Sequence, residues 1–317
     1  MTALRPLGAS GLSLTPLVFG GNVFGWTADK AMSFRLLDRF AERGGVMIDT
    51  ADAYSSWAPG NRGGESETII GEWLRQSGKR DKVLIATKVG MMPWREGAPI
   101  LHPHKIAEHA EASLKRLGID RIDLYYAHQD DADTPQADVL GAFARLIDAG
   151  KVHSIGASNV SAMRLKSALD LADAHGLPHY RALQNEYNLV SRHKFEGEIE
   201  DLCVTRNIAC LPFYSLASGF LTGKYRDSAD FGKSPRGGRM QTYLDGKGSA
   251  ILAAMDGVAA ETGATHAQIA LAWLAAQPGV TAPIASATSL AQLDELLGFW
   301  DLELTQGQLD RLCDAGV

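Results

Sequence analysis

Val46-Met-Ile-Asp-Thr-Ala-Asp-Ala-Tyr54 joins three apolar residues to a carboxylate and, five residues later, to a phenol. The run 46–48 reads as a short buried strand. Asp49 therefore stands where that strand ends, and Tyr54 lies in the loop beyond it. The arrangement recurs twice. Val83-Leu-Ile-Ala-Thr87 delivers Lys88, and Leu124-Tyr-Tyr-Ala127 delivers His128. If the three strands are parallel, four titratable side chains leave the sheet at one edge and can converge.

Working outward from this stretch, the chain repeats one unit. Apolar runs at 17–21, 46–49, 83–87, 122–127, 152–156, 181–184, 208–212 and 280–284 read as strands, each apolar on both faces, as buried parallel strands are. Helical patterns alternate with them. The first follows a Thr27 cap and stops at Gly44-Gly45. Others run over 65–77, 105–117, 136–149, 161–175, 194–206, 249–262, 266–276 and 290–297, with a last one from 305. The acids at the start of 65–77 suit the helix dipole. Residues 1–16, around Gly8-Ala-Ser-Gly11, read as a small hairpin. The Gly/Pro/Arg-rich stretch 223–247 reads as a long loop. Strict alternation predicts a parallel sheet. Eight units without a compositional break predict one domain over 1–317, a (β/α)8 TIM barrel with an N-terminal β-hairpin and extra C-terminal helices. The first strand–helix turn lacks G-x-G-x-x-G, which argues against a doubly wound dinucleotide fold.

The 317 residues carry a net charge of −6, with 45% hydrophobic and 21% charged residues. That balance speaks against a nucleic-acid groove or an anionic membrane surface. Neither a signal peptide nor an apolar span is visible, so a cytoplasmic protein acting on a small molecule, as monomer or homo-oligomer, is expected. Cys203, Cys210 and Cys313 show no paired spacing and read as small buried hydrophobes. His102 and His104 sit two apart in a polar loop and read as surface residues; no metal cluster is expected.

Barrel active sites lie at the C-terminal ends of the strands, where Asp49, Tyr54, Lys88 and His128 are expected to meet. A tyrosine is a poor proton donor at neutral pH unless tuned. A neighbouring ammonium stabilises the phenolate and lowers its pKa. A carboxylate orients that lysine, and a histidine beside the phenol can hydrogen-bond a substrate oxygen. The set suits proton donation coupled to hydride transfer, which needs a cofactor. The later strands offer groups for one. Ser158-Asn159 and Gln184 can hold a carboxamide. Tyr214 offers a flat face to a nicotinamide. Ser286-Ala-Thr288, ahead of a helix, can donate to a phosphate. Asp52 is read as a loop or capping residue. Trp26, Trp57 and Trp94, in the loops after strands one to three, can wall an apolar or sugar-stacking pocket.

With these residues in hand, the chain resembles the aldo-keto reductase superfamily along its length, in a bacterial branch related to potassium-channel β subunits. The motifs are Ile48-Asp-Thr-Ala-Asp-Ala-Tyr54, Gly64-Glu-Ser-Glu-Thr-Ile-Ile-Gly71, Thr87-Lys-Val-Gly90, Asp123-Leu-Tyr-Tyr-Ala-His128, Ile155-Gly-Ala-Ser-Asn159, Leu183-Gln-Asn-Glu-Tyr187, Gly219-Phe-Leu-Thr-Gly-Lys-Tyr225 and Ala287-Thr-Ser-Leu-Ala-Gln292. The resemblance implies an NADP(H)-dependent carbonyl reductase or alcohol dehydrogenase, with NAD(H) as the other cofactor to test. It implies Tyr54 as general acid/base, Lys88 and Asp49 as its tuning pair, and His128 as the substrate-orienting partner. It also implies that Ser215, Leu216, Ser218 and Gly219 follow the pyrophosphate, that Lys224 and Arg239 meet the adenosine end, and that Gln292 and Glu295 lie beside the adenine. Ser286, Thr288 and Leu296 depart from the residues common in relatives, which bears on cofactor choice and leaves the four catalytic residues intact. Two rivals stand beside this reading. One is a cofactor-binding regulatory or redox-sensor subunit. The other is a barrel lyase using Lys88 as a Schiff base, which the Asp49 partner disfavours.

Overall fold

A computed structural model describes residues 3–92, 100–233, 238 and 240–316. The short strands β1 (Arg5–Pro6) and β2 (Ser13–Leu14) pair antiparallel as the expected hairpin. Eight parallel strands follow: β3 (Val18–Gly20), β4 (Met47–Asp49), β5 (Leu84–Val89), β6 (Ile122–Ala127), β7 (Val152–Ser158), β8 (Tyr180–Gln184), β9 (Ala209–Cys210) and β10 (Ile284–Ala285). They are hydrogen-bonded in the order β10-β3-β4-β5-β6-β7-β8-β9, so neighbours in sequence are neighbours in space. The ends of that order meet through the chain before β10. Cys210 N–H donates to Gly279 O (3.1 Å), and Thr281 N–H donates to Cys210 O (2.8 Å). Val18 N–H donates to Pro283 O at 3.0 Å, which ties the same stretch to β3. The architecture is the (β/α)8 barrel. The eighth strand was expected at 280–284, but regular pairing begins only at Ile284. Pro283 has no N–H to give to a ladder, so the closing strand is bonded piecemeal.

Helices α1 (Lys30–Glu42), α2 (Glu65–Ser77), α3 (Pro103–Leu117), α4 (Gln136–Asp148), α5 (Ala162–His175) and α6 (Glu198–Thr205) alternate with the strands. After β9 come α7 (Met240–Leu244), α8 (Gly248–Thr262) and α9 (His266–Ala275); α10 (Leu290–Leu297) and α11 (Gln306–Ala315) end the chain. Three expectations shift. Asp29, not Thr27, caps α1, its Oδ1 accepting from Met32 N–H at 2.8 Å. Gly197 at φ 92° delays α6 to residue 198. The stretch 223–247 is not all loop, because α7 and a 3-10 turn at Ser228–Lys233 lie within it.

Side chains alternate across each strand, and the alternation builds two cores. Leu7, Leu14, Val18, Met47, Ala86, Leu124, Tyr126, Ala182 and Leu211 fill the barrel, and the hairpin supplies its plug. The outward set, with Phe19, Ile48, Ile85, Tyr125 and Ile155, packs against the helices. On β5 this puts Thr87 against α2, where its hydroxyl donates to Glu67 at 2.6 Å. Lys88, one residue on, points inward.

Candidate active site

Asp49 ends β4, Lys88 is the penultimate residue of β5, and His128 directly follows β6. The three strands are in register, with Asp49 beside Ala86 and Lys88 beside Tyr126. Lys88 Nζ is completely buried and makes three bonds. It donates to Asp49 Oδ2 (2.5 Å), to Thr50 O (2.7 Å) and to the Tyr54 hydroxyl (3.0 Å). Asp49 Oδ1 accepts from Gln184 Nε2 at 2.9 Å, so β8 contributes to the same cluster. The His128 ring stands edge-on to the Tyr54 ring, with centroids 5.8 Å apart. The four side chains expected to converge do so.

The electrostatics follow from burial. Burial pulls the Lys88 ammonium down, but Asp49 and Tyr54 outweigh it and hold the ammonium above its usual range. For Tyr54 the largest effect is burial, which raises the phenol; Lys88 pulls it down, and Asp49 pushes it back up. The net direction is upward, so the expected lowering by Lys88 operates but does not win in this state. Burial, aided by the Lys88 charge, drives His128 well below the ordinary histidine value, and the imidazole is neutral at pH 7. Its Nδ1 is buried without a hydrogen-bond partner.

A family model for the aldo/keto reductase family matches residues 16–315. The chain belongs to the aldo/keto reductase family. A probable voltage-gated potassium channel subunit beta from Arabidopsis thaliana is 33% identical over 305 residues, 92% of this chain and 89% of the relative. The NADP(+) aldo-keto reductase yakc of Schizosaccharomyces pombe is 30% identical over 291 residues, 88% and 81% of the two chains. The norsolorinic acid reductase stcV of Emericella nidulans is 30% identical over 325 residues, 98% and 80%. Membership makes the chain one of a family of oxidoreductases whose general cofactor is NADP(H).

The residues expected to meet such a cofactor lie along the β7–β10 side of the barrel. Ser158 and Gln184 end adjacent strands in register, and the Ser158 hydroxyl donates to Gln184 O at 2.7 Å. Asn159, at φ 51°, donates its amide to His128 O (2.9 Å), which links this side to the Asp49–Tyr54–Lys88–His128 cluster. Tyr214, at φ 53°, is 39% exposed. Beyond the half-buried Leu216, Ser218 (φ 58°) and Gly219 (φ 97°) turn the chain tightly. A Cβ added to Gly219 would stand 3.6 Å from Lys224 Nζ, so that ammonium overhangs the turn. Ser215 is different: its hydroxyl is buried and spent on Pro212 O and Ile284 O. Ser286 donates to Asn22 Oδ1 at 2.6 Å, across to the loop after β3. Thr288 donates through both N–H and hydroxyl to Gln292 Oε1, and Glu295 is exposed one turn further along α10. Arg239 lies outside the described residues.

Of the three tryptophans, Trp94 also lies outside them. Trp26 and Trp57 meet edge-to-face at 5.8 Å, and Trp57 meets Tyr54 in the same way at 5.6 Å. Two readings were incomplete. Asp52 is a loop residue, as read, but it is buried, and its Oδ2 lies 2.7 Å from His109 Nδ1 on α3. Glu67 does more than suit a dipole. It is buried between Thr87 and Arg116, accepting from Arg116 Nε at 2.6 Å. Its place is legible only once β5 alternation turns Thr87 toward α2. His102 and His104 are exposed as expected, and no cluster able to hold a metal occurs among the described residues.

Proposed function

We propose that this chain is an NADP(H)-dependent reductase of aldehydes or ketones, reversible to alcohol oxidation, with Tyr54 as general acid/base. The observation that carries the reading is the fully buried Lys88 Nζ, which touches the Tyr54 hydroxyl and Asp49 at once. When bound, the cofactor supplies the hydride. Tyr54 then has a proton to give to the developing alkoxide, and Lys88 stabilises the phenolate left behind. Asp49 and Gln184 hold Lys88 in line. Because His128 Nδ1 is enclosed without an acceptor, a proton there would be an unsatisfied donor, which costs more than an idle lone pair. The neutral ring therefore carries its proton on Nε2 and can donate it to the carbonyl oxygen beside Tyr54.

Ser158, Asn159 and Gln184 would hold the carboxamide, and Tyr214 the nicotinamide face. Ser215, Leu216, Ser218 and Gly219 would line the pyrophosphate. Lys224 would meet the phosphates, joined by Ser286 and Thr288 once they release Asn22 and Gln292, and Gln292 and Glu295 would meet the adenine. Lys224 is the exposed cation that supports NADP(H) over NAD(H). Trp26 and Trp57 would wall the substrate side. The likeness to a channel β subunit supports a second reading, a cofactor-binding sensor with weak turnover. Tyr54→Phe separates the two. Carbonyl-dependent NADPH oxidation at 340 nm should fall by 100-fold or more, the scale of one general acid, while cofactor affinity measured by fluorescence quenching stays within about twofold. Retained turnover in Tyr54→Phe would remove the reading, and a wild-type protein that binds NADPH yet reduces no carbonyl would favour the sensor.

A further inference from the structure

The loops after β3 and β4 carry Trp26 and Trp57, and polar groups tie them together. Asn61 Nδ2 donates to Gly25 O (2.9 Å) and to Ser55 O (3.2 Å). The Ser55 hydroxyl donates to Phe24 O at 2.9 Å. One asparagine thus bonds to the residue preceding Trp26 and to the turn that carries Trp57. The two indoles stand nearly perpendicular, at 86°, and continue through Tyr54 to His128 as one run of edge-to-face rings. Trp57 is 48% exposed, and Met91, just past β5, is exposed as well. A Cβ on Gly63 would lie 2.5 Å from Met92 Sδ, so the β5 loop rests on the Trp57 loop. The wall that rises from Tyr54 is therefore aromatic and thioether. The Asn61 amide and the Ser55 hydroxyl are spent inside the wall. At its floor, Lys88 is paired with Asp49 and His128 is neutral, so neither offers a free charge to an anion.

Resting on the reductase reading above, we infer that Trp57 is the specificity-determining wall of this site, that Asn61 is its positioning residue, and that together they select carbonyl compounds bearing a flat, uncharged aromatic ring. An exposed indole beside the proton donor gains most by covering itself with another π-face. A polyhydroxylated substrate would need hydrogen-bond donors, and Asn61 Nδ2 and the Ser55 hydroxyl are already committed. A carboxylate at the floor would lose its water shell and find Lys88 already paired with Asp49.

The purified protein is assayed with NADPH against 2-naphthaldehyde, propanal, D-xylose and succinic semialdehyde. The aryl aldehyde should have the highest kcat/KM. In Trp57→Ala the ratio of 2-naphthaldehyde to propanal kcat/KM should fall about tenfold, the scale of one aromatic contact with its buried area, and the loss should sit in KM. Trp57→Phe should restore most of it. Asn61→Ala keeps both indoles and should move the ratio in the same direction by a smaller factor. Binding of 2-naphthamide, followed by calorimetry with NADP+ present, reads the same wall without turnover and should weaken in Trp57→Ala. If no carbonyl is reduced but naphthamide binding still depends on Trp57, the reductase reading falls and the wall stands. A wild-type preference for xylose or the semialdehyde, or equal losses on every substrate in Trp57→Ala, overturns the inference.

Discussion

Tyr54 is governed by three opposed effects whose order matters more than their presence. Burial raises the phenol, Lys88 lowers it, and Asp49 raises it again, with burial the largest. A phenol held this high is fully protonated at neutral pH, which suits donation to a carbonyl oxygen. It would be a feeble acid without an ammonium 3.0 Å away to receive the charge it sheds. Lys88→Met removes the one lowering effect among these three. The phenol should rise further, and the alkaline limb of the pH–rate profile for carbonyl reduction should move to higher pH. Proton donation becomes harder at every pH, so kcat should drop by at least 100-fold. A full pH profile of wild type and variant, taken with saturating NADPH, checks this. A limb that stays in place or moves to lower pH contradicts the proposed tuning.

At the scale of elements, small residues decide how closely the helices can approach one another. Gly71 on α2 faces the end of α3, where an added Cβ would lie 2.2 Å from Arg116 O and 2.7 Å from Leu117 C. Backbone atoms cannot swing aside, so Gly71→Ala must separate α2 from α3, and an overpacked contact of this kind costs about 1–3 kcal/mol. Gly141 on α4 supplies the control. The nearest atom to its added Cβ is Arg145 Nη1 at 3.9 Å, so Gly141→Ala should instead stabilise by roughly 0.5–1 kcal/mol through helix propensity. Urea midpoints that shift in opposite directions would bear this out. The same scale explains what could be read beforehand. Asp49, Lys88 and His128 were legible because each directly ends or closely follows an apolar run, and parallel strands align their ends. Tyr54 was legible by its distance from Asp49. The Asp52–His109 and Glu67–Arg116 pairs were not, because they join side chains 57 and 49 residues apart on different elements. No local pattern carries that pairing. The eighth strand was found but misplaced, since an apolar run says nothing about which N–H groups a proline removes. The cap of α1 was misassigned because Thr27 and Asp29 are both good capping residues, and only the entry path of the chain chooses between them.

For the molecule as a whole, the site imposes a cost on stability that pH should expose. His128 is held neutral in the folded protein, well below the ordinary value of 6.5 that the unfolded chain recovers. As pH falls below 6.5 the unfolded chain binds a proton there and the folded one does not, so stability is lost. One such group contributes a slope of at most about 1.4 kcal/mol per pH unit, continuing until the folded pKa is reached. Asp131 adds a second loss at lower pH. Bonds from Leu101 N–H, Thr134 and Asp133 N–H outweigh its burial and hold it below 3.8, so its contribution is present above that value and fades beneath it. Asp49 and Glu67 act in the opposite sense. Burial outweighs their cationic partners and pushes both carboxyls up, so protonation on acidification relieves part of their cost. The expected curve is a plateau near neutrality, a decline that starts close to pH 6.5 and is moderated above pH 4 by the two buried acids, and a further fall below pH 4 as Asp131 is protonated. His128→Gln removes the first group. Its urea midpoint should be nearly flat from pH 6.5 to 5, where the wild-type midpoint declines. Parallel curves for the two proteins in that window would mean that His128 titrates normally in the folded state, and the neutral donor assigned to it would have to be abandoned.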